Sequence, residues 1–294
     1  MSKRILSMMG GGIFGLLQAL ILEEIEVKAG KPIADLFDLL AGTSTGGIIA
    51  CGLAARVPAA TLVSLYQDHG GEIFNSSLLR DIGTVDGLTG PKYSADALEA
   101  LLKETLQGAT LKGIVPHLLV PATRCNRSPS AFWFRSWGED DFDLWQVARA
   151  TSAAPYYFPV AEITSTTGDL HICTDGGLFA NNPEDYALGC AQDLWPNEDL
   201  SVLSIGTGSM PLAVAAKPDW GGIDWLPQLI ELILQSQEDV TAERMSLSGA
   251  PRTLFNPPIG GDMDDVSPAN IAAIKSAAAS VTASVEFANY VSSL

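Results

Sequence analysis

The feature that most constrains this chain is the segment at residues 40–47, Leu-Ala-Gly-Thr-Ser-Thr-Gly-Gly, which follows an apolar run. Its G-x-S-x-G pattern is typical of a nucleophile elbow, a sharp turn between a strand and a helix that exposes a serine oxygen. Glycines beside the serine keep side chains out of the path of a reacting molecule. The segment predicts an α/β fold with Ser44 as the candidate nucleophile, in an elbow formed by Gly42, Thr43, Thr45 and Gly46.

A glycine-rich segment near the amino end is the second feature. Gly10, Gly11, Gly12 and Ile13 follow a predicted strand and precede a helix-like stretch. Adjacent glycines leave backbone N–H groups uncovered beside a helix N-terminus, which favours an anion, as an oxyanion hole requires. A nucleotide-phosphate loop is the competing interpretation. However, the dinucleotide fingerprint G-x-G-x-x-G is matched only because Gly10, Gly12 and Gly15 of the same segment have its spacing. A Walker lysine is absent.

The third feature is a strand-like alternation that ends in an acid and two glycines at residues 171–177. In a strand, His171, Cys173 and Asp175 point to one face, and the glycine pair allows a sharp turn after the acid. Asp175 is therefore expected at a strand end that faces a cleft. An ordinary turn is the alternative interpretation of Asp-Gly-Gly.

The order of these residues separates two catalytic designs. A nucleophilic serine needs a base, which is usually a histidine oriented by an acid. All three histidines precede Asp175, so the common order of serine, acid and late histidine fails. A pair in which Asp175 takes the proton of Ser44 directly fits the order better. A triad with His171 as base and an upstream acid such as Asp143 stays open.

Together these motifs resemble the patatin-like phospholipase family. Its pattern is a glycine-rich oxyanion loop, a G-x-S-x-G serine and a distant Asp-Gly-Gly acid, here residues 10–12, Ser44 and Asp175. Residues 148–159 (ARATSAAPYYFP) and 181–183 (NNP) are similar to the same family. The resemblance implies a three-layer α/β sandwich with a mainly parallel central sheet. It also implies hydrolysis of lipid acyl esters by a Ser-Asp dyad, without metal or cofactor.

The glycine loop departs from the family pattern at two positions. The family's loop usually reads Asp-Gly-Gly-Gly-x-Arg-Gly, whereas this chain has Met9 and Phe14 in place of the aspartate and the arginine. Backbone N–H donors do not depend on those side chains, so oxyanion stabilisation is expected to survive. The bracing of the loop and the handling of anionic headgroups are expected to differ. The hypothesis is a weak or unusual substrate profile.

Composition and charge limit the partners. The 294 residues are 47% hydrophobic, enough for one large core, and we expect a single domain over residues 1–294. The net charge of −17 argues against nucleic acid and against strong electrostatic docking on anionic membranes. The expected partners are a phospholipid or another acyl ester substrate, and a membrane surface in transient contact through apolar groups. The sequence carries no indication of oligomeric state.

The cysteines and the amino end bear on localisation. The four cysteines lack metal-like spacing and fall in segments that look buried, which is typical of reduced thiols. Lys3 and Arg4 before an apolar stretch imitate a signal peptide, but glycines interrupt the stretch and no small-x-small cleavage site precedes Glu23. We expect a cytoplasmic enzyme. The cysteines are Cys51, Cys125, Cys173 and Cys190.

Strand and helix signals alternate along the chain, which indicates a mainly parallel sheet covered by helices on both faces. The glycine-rich span 74–92 reads as a long loop that acts as a lid. The apolar stripe at 220–234 suits core packing, with an interfacial role as the alternative. The predicted strands are 5–9, 36–41, 115–122, 171–175 and 202–206; the predicted helices are 15–28, 46–55, 59–69, 94–106, 144–153, 183–193, 226–246 and a surface helix in 271–291.

Three other functions stay open. A histidine-dependent esterase or thioesterase predicts that His171→Ala is as damaging as Asp175→Asn. A regulated effector, similar to the nucleotide-activated patatin-like phospholipases of bacterial anti-phage defence, predicts dormancy without its activator. A non-catalytic lipid-binding protein on the same fold, which the altered glycine loop favours, predicts that Ser44 does not react with a fluorophosphonate.

Overall fold

The computed structural model describes residues 2–74, 90–126, 128–209, 219 and 221–294. Most of the predicted lid, residues 75–89, and Trp220 at the start of the apolar stripe lie outside the described residues. The strands are β1 (Lys3–Met8), β2 (Leu39–Gly42), β3 (His117–Arg124), β4 (Ser130–Arg135), β5 (Ala161–Thr164), β6 (Leu170–Asp175), β7 (Leu200–Ile205) and β8 (Arg252–Phe255). The α-helices are α1 (Gly15–Ala29), α2 (Ile33–Leu36), α3 (Thr45–Ala54), α4 (Ala59–Ile73), α5 (Asp96–Leu106), α6 (Leu144–Thr151), α7 (Gly177–Ala180), α8 (Glu184–Leu194), α9 (Gly222–Ser248), α10 (Pro268–Thr282) and α11 (Val285–Ser292).

The strands form one mixed, mostly parallel sheet. Its order is β5-β6-β3-β2-β1-β7-β8, and β4 pairs with β3. The run from β3 through β2, β1 and β7 to β8 is parallel. The pairs β3–β4, β3–β6 and β5–β6 are antiparallel. The predicted α/β class with a mainly parallel sheet is confirmed.

Helices cover both faces of the sheet. The amino-terminal half of α1 is buried on almost all sides, because it lies in the apolar core with Leu6 and Met8 of the sheet and packs against α4 and α10. On the opposite face, Ala187 and Leu188 of α8 pack with Ile5 and Leu39 of the sheet. The two apolar clusters, one on each face, produce the three layers that the resemblance implied.

Several predicted elements are corrected by the structure. The strands β4, β5 and β8 were not expected from sequence: β5 and β8 have only four residues each, and β4 does not alternate between buried and exposed residues. The segment 271–291 holds parts of two helices, since Ser284 caps α11 by accepting a hydrogen bond from the Phe287 N–H. Cys125 is exposed and Cys190 is only partly buried, contrary to the expectation that all four cysteines are buried.

Within the described ranges, no single helix is long and apolar enough to cross a bilayer. The helices α10 and α11 meet the length and hydropathy requirement only when taken together as a pair bent by 62°.

Two strands approach each other head-on along one edge of β3. Ala41 of β2 lies opposite Leu119 in parallel register, and Asp175 of β6 lies opposite Ala122 in antiparallel register. The strand β4 occupies the other edge of β3. The carboxyl ends of β2 and β6 therefore converge near Pro121, which has no N–H to leave unpaired in the gap. This convergence brings the serine turn and the acid turn to one place.

Candidate active site

Ser44 lies in the sharp turn between β2 and α3. Its φ and ψ of 54° and −122° are unusual for a residue with a side chain, so the backbone is strained at the predicted nucleophile. The Ser44 N–H donates to Thr151 Oγ1 at 3.0 Å, which holds the turn from the neighbouring helix α6. A Cβ atom on Gly46 would lie 2.5 Å from the Met8 carbonyl oxygen, so only glycine allows this close approach.

The other elbow residues brace the turn. Thr43 Oγ1 donates to the Ala180 carbonyl at 2.6 Å, and Thr45 Oγ1 donates to the Tyr66 hydroxyl at 2.5 Å. A Cβ atom on Gly42 would overlap the carbonyl group of Gly46. The four predicted elbow residues all lie within this turn: Thr43 and Thr45 contact structure outside it, and Gly42 and Gly46 allow its tight approach.

Asp175 is the last residue of β6 and is only 4% exposed. Its Oδ1 accepts a hydrogen bond from the Gly177 N–H at 2.7 Å. Burial raises its pKa from 3.8 to about 6, while the Gly177 N–H and the Ser44 hydroxyl act in the opposite direction and favour the charged form. Oδ2 has no hydrogen-bond partner of ordinary distance and angle within the described chain. Ser44 and Asp175 line the same cavity, and no well-formed hydrogen bond joins the Ser44 hydroxyl to Oδ2.

The histidines lie elsewhere. The ring of His171 packs against Phe132 and Phe142, with ring centroids 5.2 and 5.3 Å apart. His171 precedes Asp175 by four residues of extended strand, a separation of about 13 Å at 3.3 Å per residue. His117 packs against Trp137 and Trp195, and His69 is paired with Glu72 at the surface. All three histidines belong to the described residues, and none lines the cavity that contains Ser44.

The glycine loop presents fewer donors than the sequence predicted. Gly10 N–H donates to the Asn181 carbonyl at 3.0 Å, and Ile13 N–H donates to the Met263 carbonyl at 2.8 Å. These two groups are therefore not available to an oxyanion, which corrects that part of the prediction. The N–H groups of Gly11 and Gly12 donate to no described residue, and both residues line the cavity with Ser44.

The two unusual residues of the loop are buried. Phe14 belongs to the apolar core, and the Met9 side chain is buried as well. Neither position therefore offers the charged group that the family's aspartate and arginine would supply. The backbone of Met9 is held by two hydrogen bonds. Its N–H donates to the Ile205 carbonyl at 3.1 Å, and its carbonyl accepts from Gln18 Nε2 at 2.9 Å.

Gln237 of α9 is a site residue that sequence reasoning missed. Its Oε1 accepts from the Asn181 N–H at 2.8 Å, and its Nε2 donates to the Gly177 carbonyl at 2.9 Å. Gly177 holds the Asp175 carboxylate, and the Asn181 carbonyl accepts from Gly10. One amide side chain thus joins the acid turn to the glycine loop. No local pattern could have indicated this, because the partners are 56 and 60 residues away in the chain.

The cavity walls are largely apolar. The predicted apolar stripe of α9 is divided: Trp225 and Leu229 are exposed, whereas three residues farther along the helix line the cavity. No group of three His, Cys, Asp or Glu side chains in the described ranges has the arrangement of metal ligands. The apolar wall is formed by Ile48, Leu65, Ile73, Phe74, Leu98, Tyr157, Phe158, Leu178, Ile230, Ile233, Leu234 and Met263.

Comparison with known proteins identifies the class. The patatin-like phospholipase family matches residues 6–188. A cGAMP-activated phospholipase from Pseudomonas aeruginosa is 36% identical over 245 residues, which cover 80% of this chain and 72% of that protein. Phospholipase A I from Arabidopsis thaliana is 31% identical, covering 78% of this chain and 22% of that protein. Human calcium-independent phospholipase A2-gamma is 32% identical, and the match covers 70% of this chain and 28% of the human protein. This chain thus spans about a quarter of the length of the plant and human relatives.

Among solved structures, VipD from Legionella pneumophila is similar to this chain, with a TM-score of 0.45 and 13% sequence identity. The similarity covers 95% of this chain and 67% of VipD. The family match covers more than half of the chain, and it agrees with the fold and with the order of the motifs. The chain therefore belongs to the patatin-like phospholipase family, whose members are lipid ester hydrolases. The resemblance noted from the sequence is confirmed.

Proposed function

We propose that this chain hydrolyses acyl esters of phospholipids with Ser44 as nucleophile and Asp175 as general base. The observation that carries the proposal is the pairing of a strained serine with a buried carboxylate in one apolar cavity that no histidine lines. A carboxylate oxygen without a hydrogen-bond partner is available to accept the serine proton.

The proposed reaction has two halves. Asp175 accepts the proton of Ser44 as its Oγ attacks the ester carbonyl, and the N–H groups of Gly11 and Gly12 stabilise the oxyanion. Collapse releases the lysophospholipid, which takes the proton from Asp175 and leaves an acyl-enzyme. Water then attacks the acyl group and gives its proton to Asp175, which returns it to Ser44 as the fatty acid leaves. Each oxyanion donor is worth about 3 kcal/mol of barrier.

The raised pKa of Asp175 supports its assignment as the base. A solvated aspartate is a weak base, whereas a carboxyl with a pKa of about 6 is more basic and still ionised near pH 7. The apolar walls of the cavity suit the acyl chain of a lipid. The apolar walls therefore support a lipid substrate, and the Ser44–Asp175 pair supports the proposed mechanism.

Labelling and product analysis test this proposal. The wild-type protein is incubated with a fluorescent fluorophosphonate, and separately with phospholipids, neutral glycerides and p-nitrophenyl esters, and the products are analysed by mass spectrometry. We expect labelling of Ser44 and release of fatty acid. Both are lost in Ser44→Ala, and release is lost in Asp175→Asn.

The matched control for the base is His171→Gln, which changes the one buried histidine on the same strand. We expect this variant to keep most of the esterase activity of the folded protein. Substantial turnover by Ser44→Ala, or a loss in His171→Gln as large as that in Asp175→Asn, contradicts the proposed dyad.

A second candidate function is activation by a cyclic dinucleotide. It is favoured by the 36% identity to a cGAMP-activated phospholipase over 80% of this chain. The labelling and lipid assays are therefore run with and without cGAMP, and with AMP as the control nucleotide. Turnover that requires cGAMP supports this function, and equal turnover in all three conditions rules it out.

A further inference from the structure

A carboxylate outside the proposed dyad also lines the cavity. Asp264 lines it together with Ser44, and its side chain is 13% exposed. Its Oδ2 accepts hydrogen bonds from Lys92 Nζ at 2.5 Å and from the Tyr93 hydroxyl at 2.7 Å. The Lys92 ammonium also lies 5.4 and 5.9 Å from the ring centroids of Tyr93 and Tyr157. A carboxylate with two aromatic rings is a suitable site for an ammonium group, and the chain's own lysine occupies it.

This site lies close to the proposed oxyanion loop. Met263, the residue before Asp264, accepts a hydrogen bond from Ile13 N–H, and its carbonyl is packed against Gly12. Successive Cα atoms are about 3.8 Å apart, so Asp264 follows directly on the contact with the loop. A lipid whose ester carbonyl is held at Gly11 and Gly12 would have its headgroup in this neighbourhood.

The lysine can turn away from the carboxylate without rearrangement of the backbone. The N–H groups of Lys92 and Tyr93 donate to the carbonyls of Tyr156 and Tyr157, both at 2.8 Å, which fixes the main chain. The Lys92 side chain is 29% exposed, so its flexible stem has room on the solvent side. An ammonium group from a ligand can therefore take its place against Asp264.

We propose that Lys92 and Asp264 form a headgroup subsite that selects zwitterionic phospholipids, such as phosphatidylcholine, over anionic ones. The lipid ammonium takes the place of the Lys92 ammonium against Asp264 and Tyr157, and the lipid phosphate pairs with the displaced Lys92. Each charge keeps a partner of opposite sign. An anionic headgroup pairs with Lys92 alone and places a second negative charge near Asp264. This inference rests on the proposed function and names the substrate class of that site.

A purely structural ion pair makes a different prediction. In that case Lys92 and Asp264 only tie the segment before α10 to the cavity mouth. Exchanging the two residues then changes the affinity for every lipid by the same factor. The double variant Lys92→Asp/Asp264→Lys separates the two cases, because it keeps an ion pair but reverses its direction. The variant Asp35→Asn, which breaks the exposed Arg56–Asp35 pair outside the cavity, is the matched control.

The first measurement is binding in a Ser44→Ala background, so that no lipid is consumed. Isothermal titration calorimetry is performed with monomeric dihexanoyl phosphatidylcholine and dihexanoyl phosphatidylglycerol. We expect the choline lipid to bind about fivefold more tightly, as for one partly exposed ion pair. The charge-exchanged variant should reverse this preference, and Asp35→Asn should leave it unchanged. An unaltered preference in the charge-exchanged variant overturns the proposal.

A second variant covers the case in which the double variant does not fold. Lys92→Met removes the partner of the phosphate but keeps Asp264, so the preference for the choline lipid should increase. A decreased or unchanged preference overturns the proposal. In otherwise wild-type protein, the ratio of hydrolysis rates for the two lipids, each divided by the rate on p-nitrophenyl butyrate, should follow the binding ratios. If the wild-type protein binds the lipids with this preference but hydrolyses none of them, the proposed function is refuted, whereas the headgroup subsite is not.

Discussion

Two buried carboxylates nine residues apart in the chain have opposite surroundings. Glu184, at the start of α8, is fully buried and accepts hydrogen bonds from Arg252 Nε at 2.6 Å and Nη2 at 2.8 Å. Asn182 Nδ2 lies 3.4 Å from its Oε2. Asp175 is almost as buried but has no cationic partner, and one of its oxygens lacks a hydrogen bond to any described residue.

The difference shows what burial alone does to an acid. At Glu184 the bidentate arginine and the helix N-terminus both supply positive partners to the carboxylate. At Asp175 burial dominates and raises the pKa to about 6. A carboxylate that is buried and fully paired contributes to the fold, whereas one that is buried and incompletely paired is available for proton transfer.

The largest expected effect is on turnover. We predict that Asp175→Asn lowers kcat on p-nitrophenyl butyrate by about 10⁴-fold, the scale seen when a member of a catalytic unit is removed. Glu184→Gln, which changes the other carboxylate in the same way, should retain most of the activity of its folded fraction. Comparable losses in the two variants would remove the functional distinction between these acids.

The second effect is on stability, and here the change at Glu184, not the change at Asp175, is expected to be the damaging one. Glu184→Gln leaves Arg252, whose side chain is 22% exposed, without its charged partner. We predict a loss of about 3 kcal/mol in the free energy of unfolding, the low end for a broken buried pair. Urea unfolding at pH 8 measures it.

The neighbouring residue provides the control for this stability measurement. Asp185→Asn breaks a pair with Arg244, whose side chain is 67% exposed, and should lower the free energy of unfolding much less than Glu184→Gln does. Equal losses in Glu184→Gln and Asp185→Asn would show that the buried pair does not stabilise the fold more than an exposed one.

The third effect is a gain in stability at the expense of function. Because folding raises the pKa of Asp175 from 3.8 to about 6, the folded state binds this proton more tightly than the unfolded chain does. The ionised Asp175 therefore lowers the free energy of unfolding at high pH. This loss is absent below pH 3.8, grows as the pH rises to about 6, and reaches about 3 kcal/mol.

Asp175→Asn removes the charge but still buries an amide, so we predict a gain of about 2 kcal/mol at pH 8. At pH 4 most of this gain should be absent. Thermal unfolding of both proteins at the two pH values tests the sign. A destabilised variant at pH 8 would mean that the charged carboxylate is better solvated than its burial indicates.

Much of this site was predictable because its signals are local. The glycine spacing around Ser44 and the alternation that ends at Asp175 are properties of a few adjacent residues, and they predict a turn and a strand end. The structure places both where they were expected. The apolar runs of the parallel strands and the main helices were recognisable for the same reason.

The remaining features depend on contacts between distant segments. Carbonyl groups of Asn181 and Met263 occupy the N–H groups of Gly10 and Ile13, which no pattern in the loop indicates. The head-on approach of β2 and β6 along β3 likewise depends on strand pairing. The strands β5 and β8 have only four residues each, and most residues of β4 are only partly buried, so tertiary pairing rather than local preference determines these strands.

The smallest expected effect concerns the pH dependence of the proposed dyad and its link to Gln237. Wild-type kcat/KM on p-nitrophenyl butyrate should rise with pH around a midpoint near 6, since only ionised Asp175 accepts the serine proton. In Gln237→Glu the new carboxylate lies against Gly177, which holds Asp175, and its charge disfavours ionisation of the aspartate. We predict that the midpoint moves up by about one pH unit.

The uncharged variant Gln237→Met separates this charge effect from a loss of support. It removes the hydrogen bonds to Asn181 and Gly177 without adding charge, so kcat should fall while the midpoint stays near the wild-type value. A midpoint that moves equally in both variants would mean that Gln237 controls the burial of Asp175 rather than its electrostatic surroundings. A midpoint unchanged in both would remove Gln237 from the site, because a charge next to the turn that holds the base must affect its proton affinity.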